Sequence, residues 1–270
     1  MQPAAPSPDQ IRFDKPRSGL QRLSARFGGH AYDLHRHETY AVGMTTWGAQ
    51  SFHYRGSLRT SRAGQVMIIH PDEAHDGHAG VERGFAYRML YVDPGAVSAA
   101  LEGAPPPFVP EVVTDDPALA GLLGEAFGDF PRPLEPLAQD AIVGRLAERL
   151  AARSDGRRPR PGPAARRAVA LARDFLDAES HRTVASEELE RLCGLDRFAL
   201  SRHFRAVLGT SPHRYQVGRR LLEAQSLIAE GMRPAEAAAA TGFADQSHLT
   251  RHFAARFGVT PGRWAVLARA

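Results

Sequence analysis

Two stretches of this chain carry side chains suited to reading a nucleic-acid surface, and they are near copies of one another. Arg202-His-Phe-Arg-Ala-Val-Leu-Gly-Thr-Ser-Pro212 returns 49 residues later as Arg251-His-Phe-Ala-Ala-Arg-Phe-Gly-Val-Thr-Pro261. Each copy follows a helical run and a glycine turn: Glu187–Leu192 then Cys193-Gly194-Leu195, and Ala235–Ala240 then Thr241-Gly242-Phe243. Asp196 and Asp245 stand where a helix N-cap is expected. Helix, short glycine turn, helix is the helix-turn-helix pattern. At helical spacing the faces separate. Leu200 and Phe204 in the first copy, and Leu249, Phe253 and Phe257 in the second, form core stripes. Ser201, Arg202 and Arg205, and then Gln246, Ser247, His248, Thr250 and Arg251, stay on polar sides. Such side chains suit base edges and phosphates in a major groove. Two matched faces in a repeat argue against a merely solvated surface.

A second set of residues could bind a metal or a small polar molecule. His35 and His37 are two apart, so on a strand they share one face. With His75 they resemble three of the ligands of a metal-binding cupin, and three imidazoles with one position left open would suit zinc or iron. Polar lining of a pocket and plain structural roles are the competing readings, and pocket lining is the expected one. Tyr40 and Trp47 are expected as apolar walls beside them, although a strand tryptophan is as often core. His70, before Pro71, reads as a strand-end residue.

The elements that must hold these sets differ. Residues 20–95 alternate or run apolar in short pieces, such as Tyr40–Thr46, Gln65–Ile69 and Tyr87–Val92, broken by glycine and proline. Short, frequent strands predict a sandwich or small barrel. After Pro105-Pro-Pro107 two helices are expected, about 115–129 and 137–152. In the second, Leu137, Ala141, Ile142, Leu146 and Leu150 recur at helical spacing, as core or as a dimer contact. Beyond residue 163 the pattern is helical throughout, beginning with a stripe of Val169, Leu171, Phe175 and Leu176. His213–Glu230 reads as one connector helix with Tyr215, Leu221, Leu222, Leu227 and Ile228 apolar. Eighteen residues span about 27 Å, close to the ~34 Å of one DNA turn.

Charge divides the chain in the same place. Residues 1–152 have a net charge of −4, residues 153–160 of +3 and residues 161–270 of +5. An acidic front and basic back predict two domains, the second facing a polyanion. Ser154–Pro163, rich in proline, glycine and arginine, reads as a linker. No apolar run is long enough to span a membrane, and Met1–Gln10 lacks a secretory pattern. A single cysteine, Cys193, fits a reducing compartment. A cytoplasmic protein is expected.

Residues 164–268 resemble the DNA-binding domain of the AraC/XylS family of transcription regulators. The match is carried by Ala240-Thr-Gly-Phe-Ala-Asp-Gln-Ser-His-Leu-Thr-Arg-His-Phe253 and by Arg256-Phe-Gly-Val-Thr-Pro261, a long gapped signature. That resemblance implies base-reading positions at Phe198, Ser201 and Arg202, and at Gln246, Ser247, His248, Thr250 and Arg251. Phe198 either touches a thymine methyl or belongs to the core. His35-Arg-His37, Gly64-Gln-Val-Met-Ile-Ile-His-Pro71 and His75-Asp-Gly77 are similar to the cupin-like sensor barrel of such regulators. Metal-binding cupins add a glutamate several residues after the His-x-His pair. Ala41 and Val42 occupy that region here, which weighs against a metal.

The expected protein is therefore a two-domain α+β chain. Its N-terminal cupin-like β-barrel with following helices (1–152) senses a small-molecule effector and dimerises. A linker (153–163) leads to an all-α domain (164–270) with two helix-turn-helix units. The expected function is sequence-specific transcription regulation, not catalysis. Its partners are double-stranded DNA, an effector, a second copy of the chain and, for an activator, RNA polymerase, with no cofactor and no membrane. A metal-dependent cupin enzyme fused to a DNA-binding domain, and a front domain that only dimerises, are the alternatives.

Overall fold

The computed structural model describes residues 9–15, 19–155 and 161–269. The middle of the expected linker, 156–160, lies outside them. Nine strands come first: β1 (Gln10–Phe13), β2 (Leu20–Phe27), β3 (His30–His35), β4 (Tyr40–Tyr54), β5 (Ser57–Arg62), β6 (Val66–Ile69), β7 (His75–Ala79), β8 (Phe85–Val92) and β9 (Val113–Thr114). Helix α1 (Pro94–Ala100) precedes β9; α2 (Pro117–Ala126) and α3 (Pro136–Ala152) follow it. The second half is α4 (Pro163–Ala178), α5 (Ser186–Cys193), α6 (Arg197–Leu208), α7 (Pro212–Ala229), α8 (Pro234–Ala240), α9 (Gln246–Phe257) and α10 (Pro261–Leu267).

All strand pairings are antiparallel. The main path runs β1-β2-β8-β4-β6-β9, and β3, β7 and β5 form a second layer joined through β4. The sequence suggested only the first seven residues of β4. Its full fifteen serve both layers: the first half pairs with β6 and β8, the second with β5 and β7. A register shift between Thr45 and Trp47 bends the strand where it changes layers. The expected barrel is thus a pair of sheets sharing one bent strand, not a closed ring. Phe27, Phe52 and Phe85 fill the space between the layers, each fully buried, at roughly 1.5–3 kcal/mol apiece.

The other face of the main sheet packs on α1, α2 and α3. The stripe that α3 buries is Ile142, Val143, Leu146, Ala147 and Leu150. Leu137, expected in that stripe, is 83% exposed at the first turn, and Ala141 is exposed as well. On α4 the buried line is Ala168, Val169, Ala172 and Leu176, while Leu171 faces solvent. In α3 the expected stripe holds at Ile142, Leu146 and Leu150 and fails at the first turn, with Val143 and Ala147 joining it; in α4 it holds at Val169 and Leu176, with Ala168 and Ala172 buried in place of Leu171.

Helices α4–α6 build the first helix-turn-helix unit around Phe204. Helix α7, the predicted connector, runs unbroken for 18 residues. Its Arg220 is buried, and donates to the carbonyls of Ser180 (2.5 Å), Arg182 (2.6 Å) and Gly242 (3.0 Å). That one side chain ties the α4–α5 loop to the turn of the second unit. Arg220→Met would take this donor from the carbonyls of Ser180 and Gly242, while that of Arg182 keeps Gln216 at 2.8 Å. It is expected to cost about 1–3 kcal/mol and to weaken DNA binding through lost spacing, read by thermal unfolding beside a binding isotherm. Unaltered unfolding and affinity would show that the spacing does not depend on it.

Helix α1 was absent from the sequence reading. Asp93 caps it, accepting from the Gly95 N–H at 2.6 Å, and Pro94 starts it. It packs against α6 and so seats the first unit on the sheet domain.

Candidate functional site

Two surfaces and one cavity hold the residues of interest. On α6, Asp196 caps the helix by accepting from the Phe198 and Ala199 N–H groups. Phe198, Arg202 and Arg205 project from one side as exposed residues, with Ser201 half-buried between them. Phe198 is 71% exposed, so of its two possible placements the core is excluded. On α9, Asp245 accepts from the His248 N–H at 2.7 Å. Gln246, Ser247 and Arg251 are exposed; His248 and Thr250 are half-buried. His248 is held between Phe243 and His252, with ring centroids 5.4 and 4.7 Å away. Most arginines around these faces are paired with carboxylates: Arg182 with Glu179 and Glu188, Arg197 with Glu190, Arg219 with Asp177, Arg233 with Glu236. Among the described residues Arg202, Arg205 and Arg251 make no such pair. Three unpaired guanidinium groups on two projecting helices are free to meet phosphates and guanine edges.

The back of α9 does something else. The last carbonyls of a helix have no partner within it, and β3 pairs only with β7 among the described strands, leaving donors on its other edge. Each need answers the other. The Asp33 N–H donates to the Gly258 carbonyl at 2.9 Å, and the Arg36 N–H to the Ala255 carbonyl at 3.0 Å. Gly258 caps α9 at φ +68°, where an added Cβ would sit 2.7 Å from the Tyr32 Cβ. Only glycine permits that turn and that approach together. Arg256, buried on the same helix, pairs with Glu38. Burial pushes its pKa down to about 9, still above neutral, so it is charged. Arg214 pairs with Asp72, and Gln21 donates to Gln225 at 3.1 Å in the interior. The apolar core of the sheet domain continues without a break into Leu221, Phe253 and Trp264.

A cavity lies in this seam. Leu20, Leu23 and Tyr32 form its sheet side, with His35, His37 and Tyr91; Leu222, Phe257, Trp264 and Arg256 form its helical side. It holds about 50 Å³. His35 and His75 face each other across β3 and β7, with ring centroids 4.2 Å apart, and His37 lies 4.9 Å from His75. Burial, reinforced by the neighbouring imidazoles, pushes His35 and His37 well below the usual histidine pKa. Burial takes His75 down to about 4. All three are neutral at pH 7.

Two expected wall residues are elsewhere. Tyr40 is fully buried in the outer core, its hydroxyl donating to the Pro107 carbonyl at 2.6 Å. Trp47 is 37% exposed on the surface, under the guanidinium of Arg26 at 4.4 Å. Both sit beside the β4 bulge or on the strand's other face, which the assumption of a regular single-layer strand misplaced. Arg256 and Glu38 were not singled out in the sequence. The available signal was a charge at the buried spacing Leu249, Phe253, Arg256.

A sheet-rich sensor joined to two helix-turn-helix units defines a class of ligand-responsive regulators. The chain belongs to the AraC family of transcription regulators: residues 18–154 match the AraC-like ligand binding domain and residues 189–265 a helix-turn-helix domain. The family is one of regulators, not enzymes. The chain is similar to the uncharacterized HTH-type transcriptional regulator YbfI of Bacillus subtilis (strain 168), with 25% identity over 231 residues, 83% of this chain and 84% of that protein. In fold it is similar to ToxT of Vibrio cholerae, with a TM-score of 0.67 at 8% identity, covering 92% of this chain and 98% of the other. A ToxT structure with a bound unsaturated fatty acid gives a TM-score of 0.63 at 10% identity, covering 97% of each chain. No described helix is long and apolar enough to cross a membrane.

Proposed function

We propose that α9 is the element through which this regulator couples effector to DNA. The carrying observation is that one helix offers Gln246, Ser247 and Arg251 to solvent while its other end is bonded into β3 and lines the cavity. The base-reading set is Phe198, Ser201, Arg202 and Arg205 on α6, and Gln246, Ser247, His248, Thr250 and Arg251 on α9. Exposed Phe198 meets a thymine methyl. The effector is a small organic molecule with an apolar body and an acidic head. Leu20, Leu23, Leu222, Phe257 and Trp264 give the cavity an apolar wall, Arg256 is the buried cation on its lining, and the similarly folded ToxT takes a fatty acid. Ligand sites usually measure about 300–1,000 Å³, far more than the 50 Å³ enclosed here. Effector entry therefore requires the seam to widen, and parting α9 from β3 would change how the second unit meets DNA. Effector and operator must then alter each other's affinity by the same factor. The protein acts in the cytoplasm as a homodimer, for which exposed Leu137 on α3 offers a contact, and reaches RNA polymerase where it activates.

The test is footprinting and affinity of the full chain on its operator. Protection is expected over two major-groove segments about 10 bp apart on one DNA face, weakening steeply with salt. Arg202→Ala and Arg251→Ala are each expected to lose about 1–3 kcal/mol of base discrimination without unfolding. A single protected groove, or two variants that bind like the wild type, would refute the paired reading heads.

A further inference from the structure

We propose that His35, His37 and His75 form a binding site for a divalent transition-metal ion, zinc being the first candidate. This goes beyond the effector reading above and rests on a separate observation, the hydrogen bonding of the three rings.

Each Nδ1 lies against a backbone carbonyl: His35 on Asp33 (2.8 Å), His37 on Thr39 (2.9 Å) and His75 on Glu73 (3.0 Å). A carbonyl oxygen carries no hydrogen, so each Nδ1 is the donor. A neutral imidazole with its proton on Nδ1 has a bare lone pair on Nε2. Three such lone pairs are thereby fixed by three backbone contacts. The same arrangement, one ring nitrogen donating to a carbonyl and the other free, orients histidines that ligate metals.

The burial makes the arrangement costly without an acceptor of those lone pairs. His35, His37 and His75 are 7%, 4% and 5% exposed. The Nε2 of His37 is wholly buried and has no hydrogen-bond partner. One ring nitrogen from each histidine lies within 4.8 Å of the other two. Metal–nitrogen bonds of about 2.0–2.1 Å place ligand nitrogens about 3.3 Å apart, so modest ring rotations close the site. Imidazole donors suit zinc, copper, iron and nickel over magnesium or calcium.

The absence of a carboxylate ligand gives the site its character. Three neutral donors leave a dication uncompensated, and Glu38 is engaged with Arg256. A three-nitrogen set also leaves a coordination position open. His35 and His37 face the cavity, so an acidic small molecule entering there would supply the missing charge.

The experiment uses the full-length chain, stripped with a chelator and titrated with Zn²⁺ or Co²⁺. One equivalent bound per chain is expected. Histidine ring ¹⁵N NMR gives a readout that needs no variant: of the twelve histidines, three should shift at Nε2 on adding Zn²⁺ while keeping the proton on Nδ1. His37→Ala is expected to weaken affinity at least about 100-fold, beyond what losing an outer hydrogen bond costs. His53→Ala, on the exposed ring paired with Asp76, should bind as the wild type does. Histidine signals that ignore excess Zn²⁺, or a stoichiometry that survives both His37→Ala and His75→Ala, would overturn the assignment.

Discussion

Glu38→Ala is expected to destabilise the folded chain by about 3–5 kcal/mol, the usual cost of stranding one member of a buried ion pair. Arg256 is 5% exposed and its partner 16%. The guanidinium's Nε is already without a hydrogen-bond partner, so no second acceptor stands ready to replace the carboxylate. The double variant Glu38→Met with Arg256→Leu separates this penalty from simple loss of contact. Two apolar side chains of similar volume can fill the same space without a charge, and such exchanges are often neutral or stabilising. Denaturant unfolding of the two variants should therefore differ by several kcal/mol in favour of the double one. The double variant should also lose its response to an acidic effector, since the cavity's buried cation is gone. If Glu38→Ala unfolds like the wild type, water or another group reaches Arg256, and the pair does not clamp the two domains.

How much of this was legible in the sequence depended on whether the signal was local. Helices α5, α6, α8 and α9 were readable because caps, glycine turns and apolar spacing all lie within a dozen residues. Asp196 and Asp245 cap the helices where their sequence positions placed them. His35 and His37 share a face as their spacing suggested, alternating with exposed Leu34 and Arg36; His75 was joined to them only by the resemblance to cupins. What stayed hidden was long-range. Nothing near Tyr40 indicates that it packs on the outer face, and nothing near Trp47 marks the bulge that turns it outward. The Glu38–Arg256 pair joins residues far apart in the chain, and pairing at that separation leaves no periodicity. The seam between sensor and second unit was invisible for the same reason. Its residues, Phe257 and Trp264 among them, look like ordinary core of a helical domain until the sheet is placed against them.

That shared seam gives the last expectation its form. Phe204→Ala and Phe253→Ala occupy equivalent places in the repeat, and both side chains are fully buried. Each is expected to cost about 3–5 kcal/mol, as deletion of a buried phenylalanine does. Their neighbours, however, differ. Phe204 packs against Tyr215, with ring centroids 5.6 Å apart, inside a cluster confined to α4–α7. Phe253 packs against Phe257 at 4.5 Å and Trp264 at 6.2 Å, in a cluster that also contains Leu23, Tyr32 and Tyr87 of the sheet domain. A cavity at residue 204 loosens one helix-turn-helix unit; a cavity at residue 253 loosens a unit and the sheet it rests on. Native-state hydrogen exchange resolves this, because local openings carry their own free energies. In Phe253→Ala the amides of Asp33 and Arg36, which donate to Gly258 and Ala255, should lose protection together with α9. In Phe204→Ala they should keep it. Protection of Asp33 and Arg36 that is the same in both variants would mean that the core does not transmit between the domains, and that the seam holds through its polar contacts alone.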